Sequence, residues 1–131
     1  MSTIQTNQLE QIQKNANKGV AVAQLCLGEL YLTGTGLIKN YEEAFRWFKC
    51  AADQGNIKAQ VKLSSLFWKG VGTARNPAMS YAWLKIATLT GYKRWHHKLA
   101  TYWVKKTLTN DELENANRYV LDWQNIEKQD I

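Results

Sequence analysis

Hydrophobic and polar positions follow a helical period along most of the chain, and one pattern occurs twice. In two segments, about 20–33 and 56–69, alanine, leucine, leucine and an aromatic residue fall at i, i+4, i+7 and i+8, which places them on one helical face. They are Ala23, Leu27, Leu30 and Tyr31, then Ala59, Leu63, Leu66 and Phe67. Each segment ends in a Gly-x-Gly turn, which stops a helix and redirects the chain. We term these two predicted helices the A helices.

Each A helix is followed by a second predicted helix, which we term a B helix. Asn40 and Asn76 precede the two B helices and are typical N-cap residues. Glu43 stands at the reciprocal capping position of the first B helix, and Pro77 takes the first helical position of the second. The glycines that close the two B helices are Gly55 and Gly91.

The A and B helices belong to an internal repeat of 36 residues. Displacing the chain by 36 positions aligns the glycines, the capping asparagines and the core positions of the two copies. The aligned pairs include Gly19 with Gly55, Gln24 with Gln60, Asn40 with Asn76, Trp47 with Trp83, and Ala51 with Ala87. A fixed period in this range is typical of stacked helical hairpins. We therefore predict an all-α solenoid of about seven helices in a single domain, 1–131.

The two ends of the chain are predicted to close the stack, because a helical stack needs terminal elements that cover its open faces. Thr109, with Glu112 three residues on, predicts the start of the last helix. The predicted units are an N-terminal capping helix at 5–17, repeat one at 19–54, repeat two at 55–90, a partial third repeat at 91–106 and a C-terminal capping helix at 109–125.

Several aromatic residues are predicted to lie in the core because of their repeat positions. Trp47, Trp83 and Trp103 recur at repeat positions, and Trp123 is expected to seal the last helix. The third A helix, at about 93–106, is expected to bury Leu99, Tyr102 and Trp103. The predicted apolar face of the last helix is Leu113, Ala116, Tyr119, Val120 and Trp123.

The pattern from Ala23 to Gly55 resembles the Sel-one-like repeat, a relative of the tetratricopeptide repeat. It reads A-Q-x-x-L-G-x-x-Y-x-x-G-x-G, then N-x-x-x-A-x-x-W-x-x-x-A-A-x-x-G-N. The resemblance covers about residues 16–123, and the closing helix looks like that of bacterial members. The second copy departs from the pattern at Ser64, Ser80 and Thr88. The resemblance implies a curved, right-handed α-solenoid that acts as an adaptor or partner-binding module.

One departure concerns the third unit, where Trp95 occupies the small-residue position of Ala23 and Ala59. A tryptophan does not fit a tight helix crossing built for alanine. The third unit is therefore predicted to pack differently from the first two.

Composition excludes several classes of protein. The chain has 131 residues, of which 45% are hydrophobic and 11% aromatic, so it is not a disordered chain. No stretch approaches the roughly 18 apolar residues of a membrane-spanning helix, and no signal peptide is expected. Cys26 and Cys50, the two cysteines, are predicted to be mostly buried, reduced thiols. A cytoplasmic location and no membrane partner are therefore expected.

The charges are unevenly distributed along the chain, whose net charge is +6. Residues 1–53 carry five basic and five acidic side chains, and 111–131 carry two basic and six acidic ones. Residues 54–110, which we term the basic block, carry ten lysines and arginines and no acid. Such a block is expected to attract an acidic surface and to accelerate encounter with it, although a bias towards solubility is the alternative.

The faces of the A helices opposite the core predict a partner-binding surface. Exposed apolar residues rimmed by cations are typical of interaction hot spots. Trp68 is one of them, and its alternative place is under the next helix or the glycine-rich turn. The predicted surface residues are Leu25, Glu29, Leu32, Lys58, Val61, Lys62, Ser65, Trp68, Arg94, His97, Lys98 and Thr101.

The sequence offers no arrangement typical of catalysis, a metal or a cofactor. His96 and His97 are adjacent in a predicted helix, so they point about 100° apart and do not converge on one site. The Gly-x-Gly turns follow helices and not strands, so they are not phosphate-binding loops. We expect a protein that is not an enzyme and needs no cofactor.

The leading hypothesis is a module that binds one acidic protein through the concave A-helix face, in a sharper version a cytoplasmic immunity protein that neutralises a toxin. The first alternative is nucleic-acid binding through the basic and aromatic residues 92–106. Against it stands the expectation that Tyr102 and Trp103 are needed in the core. The second alternative is self-association, and the sequence leaves the oligomeric state undecided.

Overall fold

The computed structural model describes residues 5–129, and seven helices form in this range. The helices are α1 (Thr6–Asn17), α2 (Ala21–Thr33), α3 (Tyr41–Asp53), α4 (Ile57–Lys69), α5 (Pro77–Thr90), α6 (Trp95–Lys106) and α7 (Asn110–Gln129). No β-strand occurs between residues 5 and 129. The predicted all-α class is confirmed. Within this range no helix is both long and apolar enough to cross a membrane.

Consecutive helices from α1 to α5 pack on one another in sequence order, which gives a helical solenoid. The main core runs from α2 to α7 and includes Phe48, Leu63 and Trp83, all fully buried. A smaller cluster around Leu27 and Trp47 joins α1 to the first repeat. The predicted burial of Trp47, Trp83 and Trp123 is confirmed.

The predicted signals at the helix ends have the expected geometry, with one exception. The Asn40 side chain accepts from the Glu43 amide at 3.1 Å, and the Asn76 side chain accepts from the Met79 amide at 3.1 Å. The exception is the reciprocal bond from Glu43, because its carboxylate instead pairs with Arg46 at 2.8 Å. At α7 both halves of the capping box form, since Thr109 N donates to Glu112 Oε2 at 2.9 Å and Glu112 N donates to Thr109 Oγ1 at 3.2 Å.

A buried glutamine joins each repeat to the helix before it. Gln24 Nε2 donates to the carbonyl oxygen of Ala16 at 3.2 Å, and Gln60 Nε2 donates to that of Ala52 at 3.2 Å. Both acceptors lie in the last turn of the preceding helix, and each also accepts from the amide of the glycine three residues on, at 3.0 Å. The repeated glutamine therefore adds a side-chain hydrogen bond that ties the following A helix to this helix end.

The predicted core face of the third A helix is wrong. Leu99, Tyr102 and Trp103 were expected in the core, yet they are 53%, 50% and 61% exposed. The residues that α6 buries are His97 and Val104. Trp95, at the small-residue position, is 75% exposed, and the third unit packs differently from the first two.

The physical reason is that the third A helix begins later and is held by a different contact. Three residues separate Gly91 from α6, whereas one residue separates Gly55 from α4. His97 donates to the Leu84 carbonyl in the middle of α5, whereas Gln60 donates to the Ala52 carbonyl in the last turn of α3. The side of α6 with His97 and Val104 therefore faces the core, and the side with the expected core stripe faces outwards.

The last helix, α7, folds back onto α5 and not onto α6. The rings of Tyr119 and Trp123 lie 6.0 and 6.3 Å from that of Trp83, both near an edge-to-face orientation. The segment between α6 and α7 has three residues and no glycine, whereas seven residues with two glycines separate α2 from α3. A short turn without glycine does not form the repeat's hairpin, so α6 lacks a B helix over its outer face.

Candidate functional site

A groove of about 480 Å³ opens on the A-helix surface between α4 and the start of α6. Helix α4 supplies four of its residues at positions 58, 61, 62 and 65, a spacing that places them on one face. That face points away from the core because Ala59, Leu63 and Phe67 occupy the buried side. The residues that line the groove are Glu29, Lys58, Val61, Lys62, Ser65, Tyr92 and Arg94.

A second depression of about 310 Å³ continues the groove along α4. The two cavities share Lys62 and Ser65, so they form one continuous surface, which we term the basic groove. The second depression adds a further lysine and several apolar side chains. Its lining residues are Leu32, Tyr41, Lys62, Ser65, Leu66, Lys69 and Val71.

The basic groove has an excess of positive charge that is not neutralised inside the described chain. Lys58, Lys62 and Arg94 are exposed beside one carboxylate, that of Glu29. Between residues 5 and 129 the ion pairs join Arg46 to Glu43, Lys49 to Asp53 and Arg118 to Glu114, each within one helix. None of these pairs involves the basic block, so its cations face solvent and attract acidic groups.

Glu29 also affects a neighbouring thiol. The pKa of Cys26 is raised, first by its burial and then by the Glu29 carboxylate. Cys26 and Cys50 are both free thiols, as predicted, but each is half-buried and not mostly buried. A raised pKa keeps the Cys26 thiol neutral and weakly nucleophilic.

The structure brings seven of the twelve predicted surface residues together in the basic groove. These are Glu29, Leu32, Lys58, Val61, Lys62, Ser65 and Arg94. Lys98 and Thr101 lie on α6 and do not line the groove. Leu25, expected on the surface, packs in the main core, because its side of α2 faces the neighbouring helices.

Trp68 is half-buried and does not line the groove either. The Arg75 guanidinium lies 4.6 Å from the centre of its ring, and Arg75 Nε donates to the Trp68 carbonyl oxygen at 3.0 Å. The alternative place for Trp68, against the glycine-rich turn, is therefore the one observed.

His97 is buried, which corrects its assignment to the partner-binding surface. Its Nε2 lies 2.8 Å from the Leu84 carbonyl oxygen and 2.8 Å from Thr88 Oγ1. Because a carbonyl oxygen only accepts, Nε2 carries the proton of the neutral ring. Burial is the largest influence on the pKa of His97 and lowers it, while the hydrogen bond to Leu84 partly opposes that effect.

Sequence reasoning did not assign five residues of the basic groove to the surface, Tyr41, Leu66, Lys69, Val71 and Tyr92. Leu66 was predicted on the core stripe of its A helix, and it is buried. The helical period could have predicted Lys69, because it stands four positions after Ser65 on the same face of α4. Tyr41, Val71 and Tyr92 lie at or beyond helix ends, where the helical period predicts no direction.

The family model described as "Sel1 repeat" matches residues 21–56 and 57–91, more than half of the chain. A solved structure of a protective antigen present in uropathogenic Escherichia coli strains, which displays an SLR fold, is similar at 30% identity over 88% of this chain, with a TM-score of 0.80. A Sel1 repeat protein from Oxalobacter formigenes is similar at 37% identity over 64%, with a TM-score of 0.62. The chain spans 25% and 35% of those two proteins, and no curated protein matches it significantly.

Proposed function

The chain belongs to the Sel1 repeat family, whose members generally mediate protein–protein interactions, and we propose that it is a non-enzymatic module that binds an acidic segment of a partner protein. The observation that carries the proposal is the basic groove, in which Lys58, Lys62 and Arg94 surround an open cavity with the single carboxylate of Glu29. The partner segment lies along α4.

The two parts of the basic groove suit two kinds of side chain. Carboxylates of the partner contact Lys58, Lys62 and Arg94, while an apolar side chain of the same segment enters the depression at Leu32 and Val71. The charges accelerate encounter and set specificity, whereas the apolar contact limits dissociation. Binding of this kind weakens as salt screens the exposed cations.

A narrower form of the proposal makes the protein a dedicated inhibitor of a single acidic partner, such as a toxin. Two complete repeats present a surface sized for one partner, and the basic block has one sign of charge. A toxin-like reading frame next to the gene would support this form.

Affinity capture tests the proposal, with tagged protein at about 150 mM salt and the lysate divided into nuclease-treated and untreated halves. We expect one acidic protein to be retained in both halves at equal stoichiometry. Capture that disappears after nuclease treatment would assign the basic block to nucleic acid and would contradict the proposal.

A charge-reversal variant then locates the interaction on the protein. We expect Lys58→Glu/Lys62→Glu/Arg94→Glu to weaken binding of the purified partner by at least about a hundredfold, because three cations become three repelling carboxylates. The matched control, Lys14→Glu/Lys18→Glu/Lys128→Glu, changes the net charge equally at exposed positions outside the groove. Equal affinity of the two folded variants would exclude the groove.

A further inference from the structure

The outer face of α6 carries a stripe of large side chains that the rest of the described chain leaves uncovered. Its residues stand at i, i+4, i+7 and i+8, so they share one face, and each is at least half exposed. We term this set the α6 aromatic face; it consists of Trp95, Leu99, Tyr102 and Trp103. The opposite face, with His97 and Val104, attaches the helix to α5.

Cations flank the α6 aromatic face, and no carboxylate interrupts them. All five lysines and arginines between residues 93 and 106 are exposed, and this segment contains no acid. They are Lys93, Arg94, Lys98, Lys105 and Lys106. Tryptophan, tyrosine and leucine on one face with lysines beside them is the composition of helices that lie in the interface of an anionic bilayer.

We propose that the α6 aromatic face docks the protein on a membrane surface rich in anionic lipid. Trp95, Leu99 and Trp103 enter the boundary between headgroups and acyl chains, where indole rings have both apolar and polar neighbours. Lys98, Lys105 and Lys106 contact the lipid phosphates. The absence of an apolar span, on which the expectation of no membrane partner rested, does not bear on this contact because the helix lies parallel to the bilayer.

Contacts within α6 favour a lipid surface over single-stranded nucleic acid. Base stacking needs a free ring face, but Lys106 Nζ lies 5.0 Å from the centre of the Tyr102 ring, and Trp103 lies against that ring edge-on at 5.7 Å. Leu99, between Trp95 and Trp103, offers no ring to a base but inserts readily among acyl chains.

A second copy of the chain is also a poorer match for this face. A symmetric α6–α6 contact would bring the three lysines of one helix against the same three of the other, and like charges at an interface are repulsive. An anionic bilayer provides the opposite charge over the whole face. This proposal does not depend on the basic groove, since Trp95, Leu99, Tyr102 and Trp103 do not line it.

Vesicle sedimentation of the purified protein tests the proposal. The probes are phosphatidylcholine vesicles with and without about 30% phosphatidylglycerol, at about 100 mM salt. We expect sedimentation with the anionic vesicles only. Trp95→Ala/Trp103→Ala is expected to lower the partition coefficient at least about tenfold, whereas the control Ile38→Ala/Ile126→Ala, also at exposed apolar positions, retains it.

A second pair of variants tests the charges. Lys105→Glu/Lys106→Glu is expected to lower partitioning more than about tenfold, compared with a small effect of Lys14→Glu/Lys18→Glu, which changes the net charge equally. Circular dichroism verifies that each variant is folded. The proposal is overturned if wild-type protein stays in solution with anionic vesicles, or if the Trp95/Trp103 and control variants partition equally. Displacement from vesicles by a single-stranded oligonucleotide, with the same dependence on Trp95 and Trp103, would assign the face to nucleic acid instead.

Discussion

Ser64 Oγ lies 3.0 Å from Ser80 Oγ and 2.9 Å from the carbonyl oxygen of Ser80, in a buried contact between the A and B helices of the second repeat. The first repeat has Gly28 and Ala44 at the same two positions, so both serines depart from its pattern. The two departures compensate each other, because each hydroxyl finds its partner in the other residue. A change at position 64 alone would leave the Ser80 hydroxyl buried without this partner, whereas a change at position 80 alone leaves Ser64 the carbonyl oxygen of that residue as its acceptor.

The serine pair predicts unequal effects of two similar substitutions. Ser64→Ala removes both hydrogen bonds and leaves the Ser80 hydroxyl without this partner, so we expect it to lower the free energy of unfolding by about 1–2 kcal/mol. Ser80→Ala leaves Ser64 free to donate to the Ser80 carbonyl, and we expect a loss of about 0.5–1 kcal/mol. Urea unfolding measures both. Losses that simply add in the double variant would show that the hydroxyls do not interact.

At position 28, in the middle of α2, we expect alanine to be less favourable than the native glycine. A Cβ at this position would lie 2.8 Å from the Phe48 ring, and Phe48 is fully buried. Alanine is about 1 kcal/mol better than glycine in a helix, but overpacking a core costs about 1–3 kcal/mol. We expect Gly28→Ala to lower the free energy of unfolding by up to about 2 kcal/mol. Its rescue by Phe48→Leu would identify the ring as the cause, whereas a more stable single variant would contradict the contact.

His97 predicts a loss of stability in mild acid. Because burial lowers its pKa in the folded state, the unfolded chain binds a proton first as the pH falls through about 6.5. The contribution of neutral His97 to the free energy of unfolding is therefore fully present above that pH. It is lost as the pH falls from there towards the lower pKa of the folded state. Thermal unfolding midpoints measured at several pH values between about 7.5 and 5 test this dependence.

The matched variant for this measurement is His97→Gln. Glutamine retains a donor for the Leu84 carbonyl, as Gln60 has for Ala52, but it does not titrate. We expect the variant to lose less stability than wild type between pH 7.5 and 5, about the range in which free histidine titrates. Parallel pH curves for the two proteins would show that His97 does not cause the dependence.

Removal of the Glu29 charge is expected to increase the affinity for the acidic partner. Glu29 is the carboxylate among the cations of the basic groove, and it repels an acidic partner. We expect Glu29→Gln to tighten binding of the captured partner by about threefold to fivefold, while Lys58→Gln weakens it by a similar factor. Titration calorimetry at low and high salt measures both, and the difference should shrink as salt rises. A partner with a basic contact surface would reverse both signs.

The first two repeats could be predicted from the sequence because every boundary has its own chemical signal. Asn40, Asn76 and the Gly-x-Gly turns set the helix ends, and the helical period places Lys58, Lys62 and Ser65 on one free face. The groove positions on α4 follow from that period. Those in turns, such as Tyr92, do not, because no period extends through a turn.

The third unit could not be predicted in this way because the 36-residue pattern does not continue through it. The alignment of Trp103 with Phe67 assumes that the segment after Gly91 has the same length as the one after Gly55. Two features of the sequence mark the third unit as different from the first two: Trp95 at a small-residue position, and the missing glycines before α7. The buried hydrogen bond of His97, and not the aromatic stripe, sets the rotation of α6.

The one-sided attachment of α6 has a dynamic consequence for the basic groove. Helix α4, which carries Lys58 and Lys62, packs between α3 and α5, whereas Arg94 and Tyr92 belong to the segment that leads into α6, whose main neighbour is α5. Elements with few buried contacts open at lower free energy than the core, so amide hydrogens of α6 should exchange well before those of α4. The groove thus has one fixed wall and one adjustable wall. Binding of a partner that contacts both walls should be detectable as slower amide exchange in α6, even though most of the partner's contacts lie on α4.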